Sequence, residues 1–231
     1  MAIVENIQFI EKEIEGKGVT LVAVSKTKPV EMLMEAYNAG FKRFGENYVQ
    51  ELVDKYEQMP KDIEWHFIGH LQSNKVKYIA PFVSLIHSVD SFKLLQEINK
   101  QAAKHNRVID CLLQIYIAEE DTKSGMTEEE CLEILKAETL EKLPNIRIVG
   151  LMGMTTLTED ETQIRKEFAK LKGFYSELRT ARQTVQNSEP QRRPLTTLSM
   201  GMSGDYGIAI EEGSTMIRVG SKIFGGRIYQ K

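Results

Sequence analysis

A closed (β/α)8 barrel, an α/β protein, is the fold that this 231-residue sequence predicts. Two observations carry the prediction. Eight short apolar, partly β-branched runs alternate with helix-period patterns, and glycines and polar residues gather just after many of those runs. An open, doubly wound parallel sheet uses the same alternation and is the competing architecture. The strand count and the loop chemistry favour the barrel. No linker or composition shift divides the chain, so residues 1–231 are expected to form a single domain.

The elements follow in order. A helix is expected at Glu5–Glu15, ahead of a first strand at Leu21–Ser25 that delivers Lys26 at its carboxyl end. Pro29 is placed in the first helical position, where its missing N–H costs nothing. The helix it opens, Val30–Asn38, carries Met32, Leu33, Ala36 and Tyr37 at helical spacing and is closed by Gly40. Strands are expected at Phe41–Phe44, Trp65–Ile68 and Leu85–Ser88. Asp90 is the expected N-cap of a helix at Ser91–Ala103 that buries Leu94, Leu95 and Ile98. A fifth strand spans Ile109–Ile117, and Thr127–Glu130 has the capping-box form. After a sixth strand at Ile146–Met152, Thr158–Glu161 repeats that form before a long helix carrying Ile164, Phe168, Leu171 and Leu178. Thr184–Pro194 reads as a loop. Strands at Thr197–Met200 and Met216–Val219, with a helix at Tyr206–Glu211 between them, complete the set.

Composition excludes several classes. The chain is 42% hydrophobic and 27% charged with a net charge of −3, so nothing draws it as a whole toward nucleic acid or an anionic membrane. Arg192 and Arg193 form a local basic cluster that reads as a solvated loop. No run approaches the roughly 18 apolar residues of a membrane span, and the amino terminus lacks the secretory pattern. Cys111 and Cys131 fit reduced thiols without metal-type spacing. These features predict a soluble, cytoplasmic protein. The lack of a long apolar edge or coiled-coil heptads predicts a monomer.

In a barrel the carboxyl-end rim carries the chemistry. A lysine at the mouth of a buried strand is partly desolvated, which favours its neutral amine, a nucleophile toward aldehydes. Lys26 is therefore a candidate for a Schiff base with a carbonyl cofactor or substrate. Ser203-Gly204 precedes a helix whose free N–H groups favour an anion, and Gly220-Ser221 adds a close backbone and a hydroxyl. A strand-end lysine joined to such a phosphate cradle points to pyridoxal 5′-phosphate (PLP). Arg218, in an otherwise apolar run, is either an ion-pair partner or a ligand-facing residue. Facing the pyridine nitrogen, it would keep that nitrogen unprotonated and weaken the cofactor as an electron sink.

Other residues have plainer readings. His66 and His70 are four apart, but Gly69 intervenes in a strand-then-loop segment, so no metal site is expected. His87 is either a core histidine or a neighbour of the cofactor, and His105 is placed on the surface. Met152, Met154, Met200 and Met202 line a pocket or fill core gaps. Lys28, Lys75, Lys77 and Lys123 are expected to be solvated. No Ser/His/Asp or Cys/His nucleophile arrangement has suitable context.

Several blocks carry a family resemblance. Ala23–Pro29, Phe44–Glu51, Trp65–Lys75, His87–Ser91, Thr122–Gly125, Gly150–Met152, Leu198–Ser203 and Ile223–Gly225 together resemble the YggS/PROSC family of PLP homeostasis proteins, in the family's order and over nearly the whole chain. The resemblance implies a fold type III TIM barrel like the amino-terminal domain of alanine racemase. It implies PLP held as an internal aldimine on Lys26, with Asn47 near the cofactor. Ser203, Gly220 and Ser221 would then surround the phosphate, and Arg218 would lie near the pyridine nitrogen. It further implies a carrier that buffers intracellular PLP without a dedicated reaction, with PLP-dependent apoenzymes as candidate partners. The alternative is an amino-acid racemase or another weakly active enzyme of this fold. Alanine racemase needs a second, carboxyl-terminal domain and a partner tyrosine, for which the chain after Arg218 leaves no room. A purely structural module would leave the lysine and the phosphate-type loops as coincidence. Two departures from the family pattern stand out: Tyr116, where a Gln-Ile-Asn run is usual, and Gly226.

Overall fold

Eight parallel strands close on one another in sequence order: β1 (Thr20–Val24), β2 (Arg43–Glu46), β3 (Glu64–Phe67), β4 (Leu85–Val89), β5 (Ile109–Gln114), β6 (Ile146–Met152), β7 (Thr197–Ser199) and β8 (Met216–Val219). The structure, a computed structural model, describes residues 2–119, 125–184 and 195–226. Pairing of β8 with β1, Leu21 opposite Ile217 and Val22 opposite Arg218, closes the barrel and removes the doubly wound alternative. The helices are α1 (Ile3–Ile14), α2 (Val30–Asn38), α3 (Val49–Gln58), α4 (Val76–Ile79), α5 (Phe92–Lys104), α6 (Glu128–Ile134), α7 (Ala137–Leu140), α8 (Glu161–Thr184), α9 (Tyr206–Glu211) and α10 (Ser221–Phe224). None of the described helices is long and apolar enough to cross a membrane. Lys123, with the rest of its Thr122–Ser124 block, and residues 185–194, with Arg192 and Arg193, lie outside the described residues.

Local chemistry explains where boundaries depart from the sequence reading. Helix α1 begins at Ile3, because Ile3, Ile7, Ile10 and Ile14 form one buried stripe. Phe41 is not in β2. Gly40 takes φ +98° and the Phe41 N–H bonds back to the Ala36 carbonyl at 3.1 Å, so Phe41 belongs to the turn that ends α2. β5 stops at Gln114, and Ile115 adds only an isolated bridge to Met126.

Three caps also differ. Ser91, not Asp90, caps α5, accepting the Leu94 N–H at 3.3 Å, while Asp90 faces His70 at 3.2 Å. Asp160 rather than Thr158 caps α8, its Oδ1 accepting N–H groups of Thr162 and Gln163 at 2.9 and 3.3 Å. Pro29 sits at the N-cap in an extended conformation, one position before the first turn. The Thr127 capping box forms as expected. Helix α3 has no counterpart in the sequence reading, because only Leu52 and Lys55 of its residues are buried.

Apolar packing is divided in two by the strand alternation. A large outer core, including Trp65, Phe44, Phe67 and Phe168, lies between strands and helices. A small inner core of Val22, Leu85, Leu112, Met152 and Met216 fills part of the barrel. His66, His87, Ser199 and Arg218, all buried, take further positions on the barrel side of their strands. Cys111 and Cys131 are buried, and burial pushes both thiols up, Cys131 to about 12, so neither is a nucleophile near neutral pH.

Candidate functional site

A cavity of about 460 Å³ opens at the carboxyl ends of the strands, and Lys26, Asn47, Ser203, Arg218, Gly220 and Ser221 all line it. Val24, Thr27, Lys28, Ile68, Met154, Leu157 and Met202 supply more of the wall. A second cavity, about 370 Å³ at the amino ends of the strands, is lined by His66, Asp110 and Arg147 among others and includes none of the predicted site residues.

Lys26 occupies a turn. The Lys28 N–H reaches the Ser25 carbonyl at 3.1 Å, which places Lys26 and Thr27 at the two central positions. Thr27 has φ +63°, an uncommon conformation for a β-branched residue, costing about 1–3 kcal/mol. A carboxylate compensates: the Thr27 N–H donates to Glu51 Oε1 at 2.6 Å. On the other side of Lys26, the Ser25 hydroxyl donates to Glu46 Oε1 at 2.6 Å and the Ser25 carbonyl accepts from Lys55 Nζ at 2.8 Å. The Lys55 ammonium also donates to Glu46 and Glu51, each at 2.7 Å. Glu46 and Lys55 are buried, and Glu46 Oε2 has no hydrogen-bond partner among the described residues. Desolvation raises the Glu46 carboxyl to about 7; Lys55 opposes that rise and Glu51 reinforces it.

Asn47 follows Glu46 at the end of β2. Its side-chain oxygen is buried and unpartnered among the described residues, although the residue lines the cavity. A Cβ on Gly69 would stand 2.2 Å from the Asn47 carbonyl oxygen, so only glycine lets the loop after β3 pass so close. Across the mouth, the Gly220 N–H donates to Ser203 Oγ at 3.1 Å and ties the loops after β7 and β8 together. A Cβ on Gly220 would come within 3.1 Å of the Val24 carbonyl, which keeps this edge of the cavity close to β1.

Arg218 links the cavity to the barrel interior. Its Nη1 donates to Ser199 Oγ at 2.6 Å and its Nη2 to the Gly153 carbonyl at 3.2 Å. Ser199 Oγ lies 3.1 Å from His87 Nδ1, and His87 Nε2 lies 2.9 Å from His66 Nδ1. Arginine only donates, so the ordering that gives the Ser199 hydroxyl an acceptor sends its proton to His87 Nδ1. His87 then donates from Nε2 to His66. Burial pushes His66 down to about 3 and His87 well below its ordinary value, so both imidazoles are neutral at neutral pH. Burial lowers Arg218 to about 10, opposed by Asp205, and the guanidinium stays charged.

His87 is a core histidine that reaches the cavity only through Ser199 and Arg218. His66 points into the barrel, while the His70 side chain is exposed and beside Asp90. Lys28 is not solvated, contrary to expectation: it is buried, and its Nζ donates to the Gly226 carbonyl at 2.7 Å. Lys75 and Lys77 are exposed beside Tyr78, and His105 is exposed. Met154 and Met202 line the cavity, whereas Met152 and Met200 are core residues.

The family model of the alanine racemase N-terminal domain matches residues 1–228. The pyridoxal phosphate homeostasis protein of Vibrio alginolyticus is 41% identical over 242 residues, covering 99% of both chains. That of Aquifex aeolicus (strain VF5) is 44% identical and covers 96% of each chain. This chain belongs to the pyridoxal phosphate homeostasis protein family. PipY of Synechococcus elongatus PCC7942, solved with PLP bound, superposes with a TM-score of 0.84 at 34% identity, over 96% of this chain and 100% of that one. The alanine racemase of Bartonella henselae shares the fold, with a TM-score of 0.71 at 15% identity; this chain spans 61% of it.

Within this family chain, Ser25, Glu46, Glu51 and Lys55 form the part of the site that sequence reasoning did not single out. The available signal was Lys55 itself. It lies three residues after Leu52 on the buried face of α3 and four after Glu51, a spacing at which helix side chains meet.

Proposed function

We propose that this protein, read as one domain over residues 1–231, binds PLP in the carboxyl-end cavity, with Lys26 as a reversible tether, and holds the cofactor without turning over a substrate. The observation that carries the reading is the convergence of Lys26, Asn47, Ser203, Arg218, Gly220 and Ser221 on one cavity. The residues fit the group. Asn47 offers an orphaned buried oxygen at the wall. Ser203, Gly220 and Ser221 offer hydroxyls and a tightly held backbone for a phosphate, and Arg218 offers a buried permanent charge. PLP supplies an aldehyde that condenses with a primary amine, one water leaving as the carbon–nitrogen double bond forms.

The chain's own residues favour holding over turnover. Arg218 can only donate, so a ring nitrogen facing it stays unprotonated. Lys28, the other amine at the cavity, is engaged with the Gly226 carbonyl. No tyrosine, histidine, cysteine or carboxylate is among the described residues that line the cavity, so a second proton-transfer group opposite Lys26 has no candidate there. On this reading the protein acts as a cytoplasmic monomer that passes PLP to apoenzymes.

Native mass spectrometry after incubation with PLP, followed by borohydride reduction and peptide mapping, tests the reading. One chain carrying one cofactor on Lys26, lost in Lys26→Ala, is the expected result. Labelling retained in Lys26→Ala, or interconversion of D- and L-amino acids well above the rate with free PLP, overturns it.

A further inference from the structure

Three side chains beneath the cavity are not among the described residues that line it, yet they grip the backbone on both sides of Lys26. We propose that Lys55, Glu46 and Glu51 form a positioning clamp that fixes the Lys26 turn in the conformation needed for its amine to react. The inference rests on the reading of Lys26 as the tether.

The geometry assigns each group a task. Lys55 Nζ has three acceptors, the Ser25 carbonyl, Glu46 Oε1 and Glu51 Oε1, which matches the three protons of an ammonium. The Ser25 carbonyl that it holds is also the acceptor that closes the Lys26 turn. Glu46 Oε1 takes both Lys55 and the Ser25 hydroxyl, so the residue before Lys26 is fixed through backbone and side chain together. Glu51 Oε1 takes both Lys55 and the Thr27 N–H, so the residue after Lys26 is held in its left-handed conformation.

The clamp joins the turn after β1, the end of β2 and the first two turns of α3, and Lys55 bonds to groups in each. Glu46 and Lys55 are buried, so water competes poorly for these bonds. Replacing any one group frees a charged partner and releases the turn. The loops at Ser203 and Gly220–Ser221 belong to other elements and are untouched by such a change.

The test separates reaction at Lys26 from occupancy of the cavity. Full-length wild type, Glu51→Ala and Lys55→Met are mixed with PLP in a stopped-flow instrument, and Lys26 adduct formation is followed by visible absorbance. Affinity for pyridoxine 5′-phosphate, an alcohol that carries the ring and phosphate but cannot condense, is measured by calorimetry on the same samples. A positioning clamp predicts adduct formation slowed roughly tenfold or more in the variants. Affinity for the alcohol should stay within about twofold. Equal losses of both, or no loss of the adduct rate, overturn the clamp. Should Lys55→Met not fold, Glu51→Ala decides alone, since the Glu51 side chain is partly exposed. Wild type that binds both compounds without modification of Lys26 overturns the tether reading instead.

Discussion

Two buried polar clusters reach the same cavity from different sides of the sheet, and they solve the problem of burial in opposite ways. Outside the strands, Glu46 and Lys55 face each other at 2.7 Å as an ion pair, with side-chain exposures of 0% and 5%. Inside the barrel, His66 and His87 are neutral and Ser199 is a hydroxyl, so Arg218 is the one charge of a four-residue chain. The first cluster ends on the backbone beside Lys26. The second ends on a side chain that itself lines the cavity. An ion pair gains strong, directional bonds in a dry setting but leaves a costly charge if either partner goes. A neutral chain costs less to bury and less to interrupt.

The largest test of that contrast is removal of one ion partner. Lys55→Met should destabilise the protein by about 3–5 kcal/mol in urea unfolding, because Glu46 is left buried and unpaired. Adding Glu46→Leu should recover most of the loss. A double variant no better than Lys55→Met would show that the pair was not the source. Ser199→Ala interrupts the neutral chain and should cost about 1–3 kcal/mol, since Arg218 Nη1 and His87 Nδ1 lose their shared partner. A loss as large as that of Lys55→Met would break the comparison.

The smallest effect is a change of slope with pH, and the two clusters give it opposite signs. His66 falls from 6.5 to about 3 on folding, so its contribution is present above pH 6.5 and is lost as pH falls toward 3. Glu46 rises from 4.5 to about 7, so its contribution is full below 4.5 and is lost as pH rises through 7. Between 4.5 and 6.5 the two oppose each other. Glu46→Gln removes one of them, and the variant's unfolding midpoint should drop more steeply on acidification across that window than the wild type's. Parallel curves would assign the compensation to other groups.

That Lys26, Arg218, Ser203 and Gly220–Ser221 would gather at the carboxyl-end rim was legible because each stands just after a recognisable strand or on it, and rim position is a one-dimensional property once the strand count is known. Lys28 was misread because a lysine in a turn is ordinarily solvated; its bond to Gly226 joins positions 198 apart in sequence. The pairing of His66 with His87 was equally hidden. Residues 21 apart on adjacent strands meet only when β3 and β4 take the observed register. Asp90 and Thr158 looked as good as caps as the Ser91 and Asp160 that do the capping, because a cap depends on backbone angles of single residues.

The sequence by itself determined the alternation of eight strands with helices, the lysine at the mouth of the first strand and the glycine- and serine-bearing loops after the last two, since strand-helix periodicity and turn chemistry are written locally. Tertiary structure alone decided what surrounds them. It joined β8 to β1 so that those loops share one cavity, ran a neutral hydrogen-bonded chain from His66 to Arg218, and set Lys55 between two carboxylates under the Lys26 turn. Each of these is a contact between elements. Its strength comes from exclusion of water, and no stretch of sequence carries that before the chain has closed.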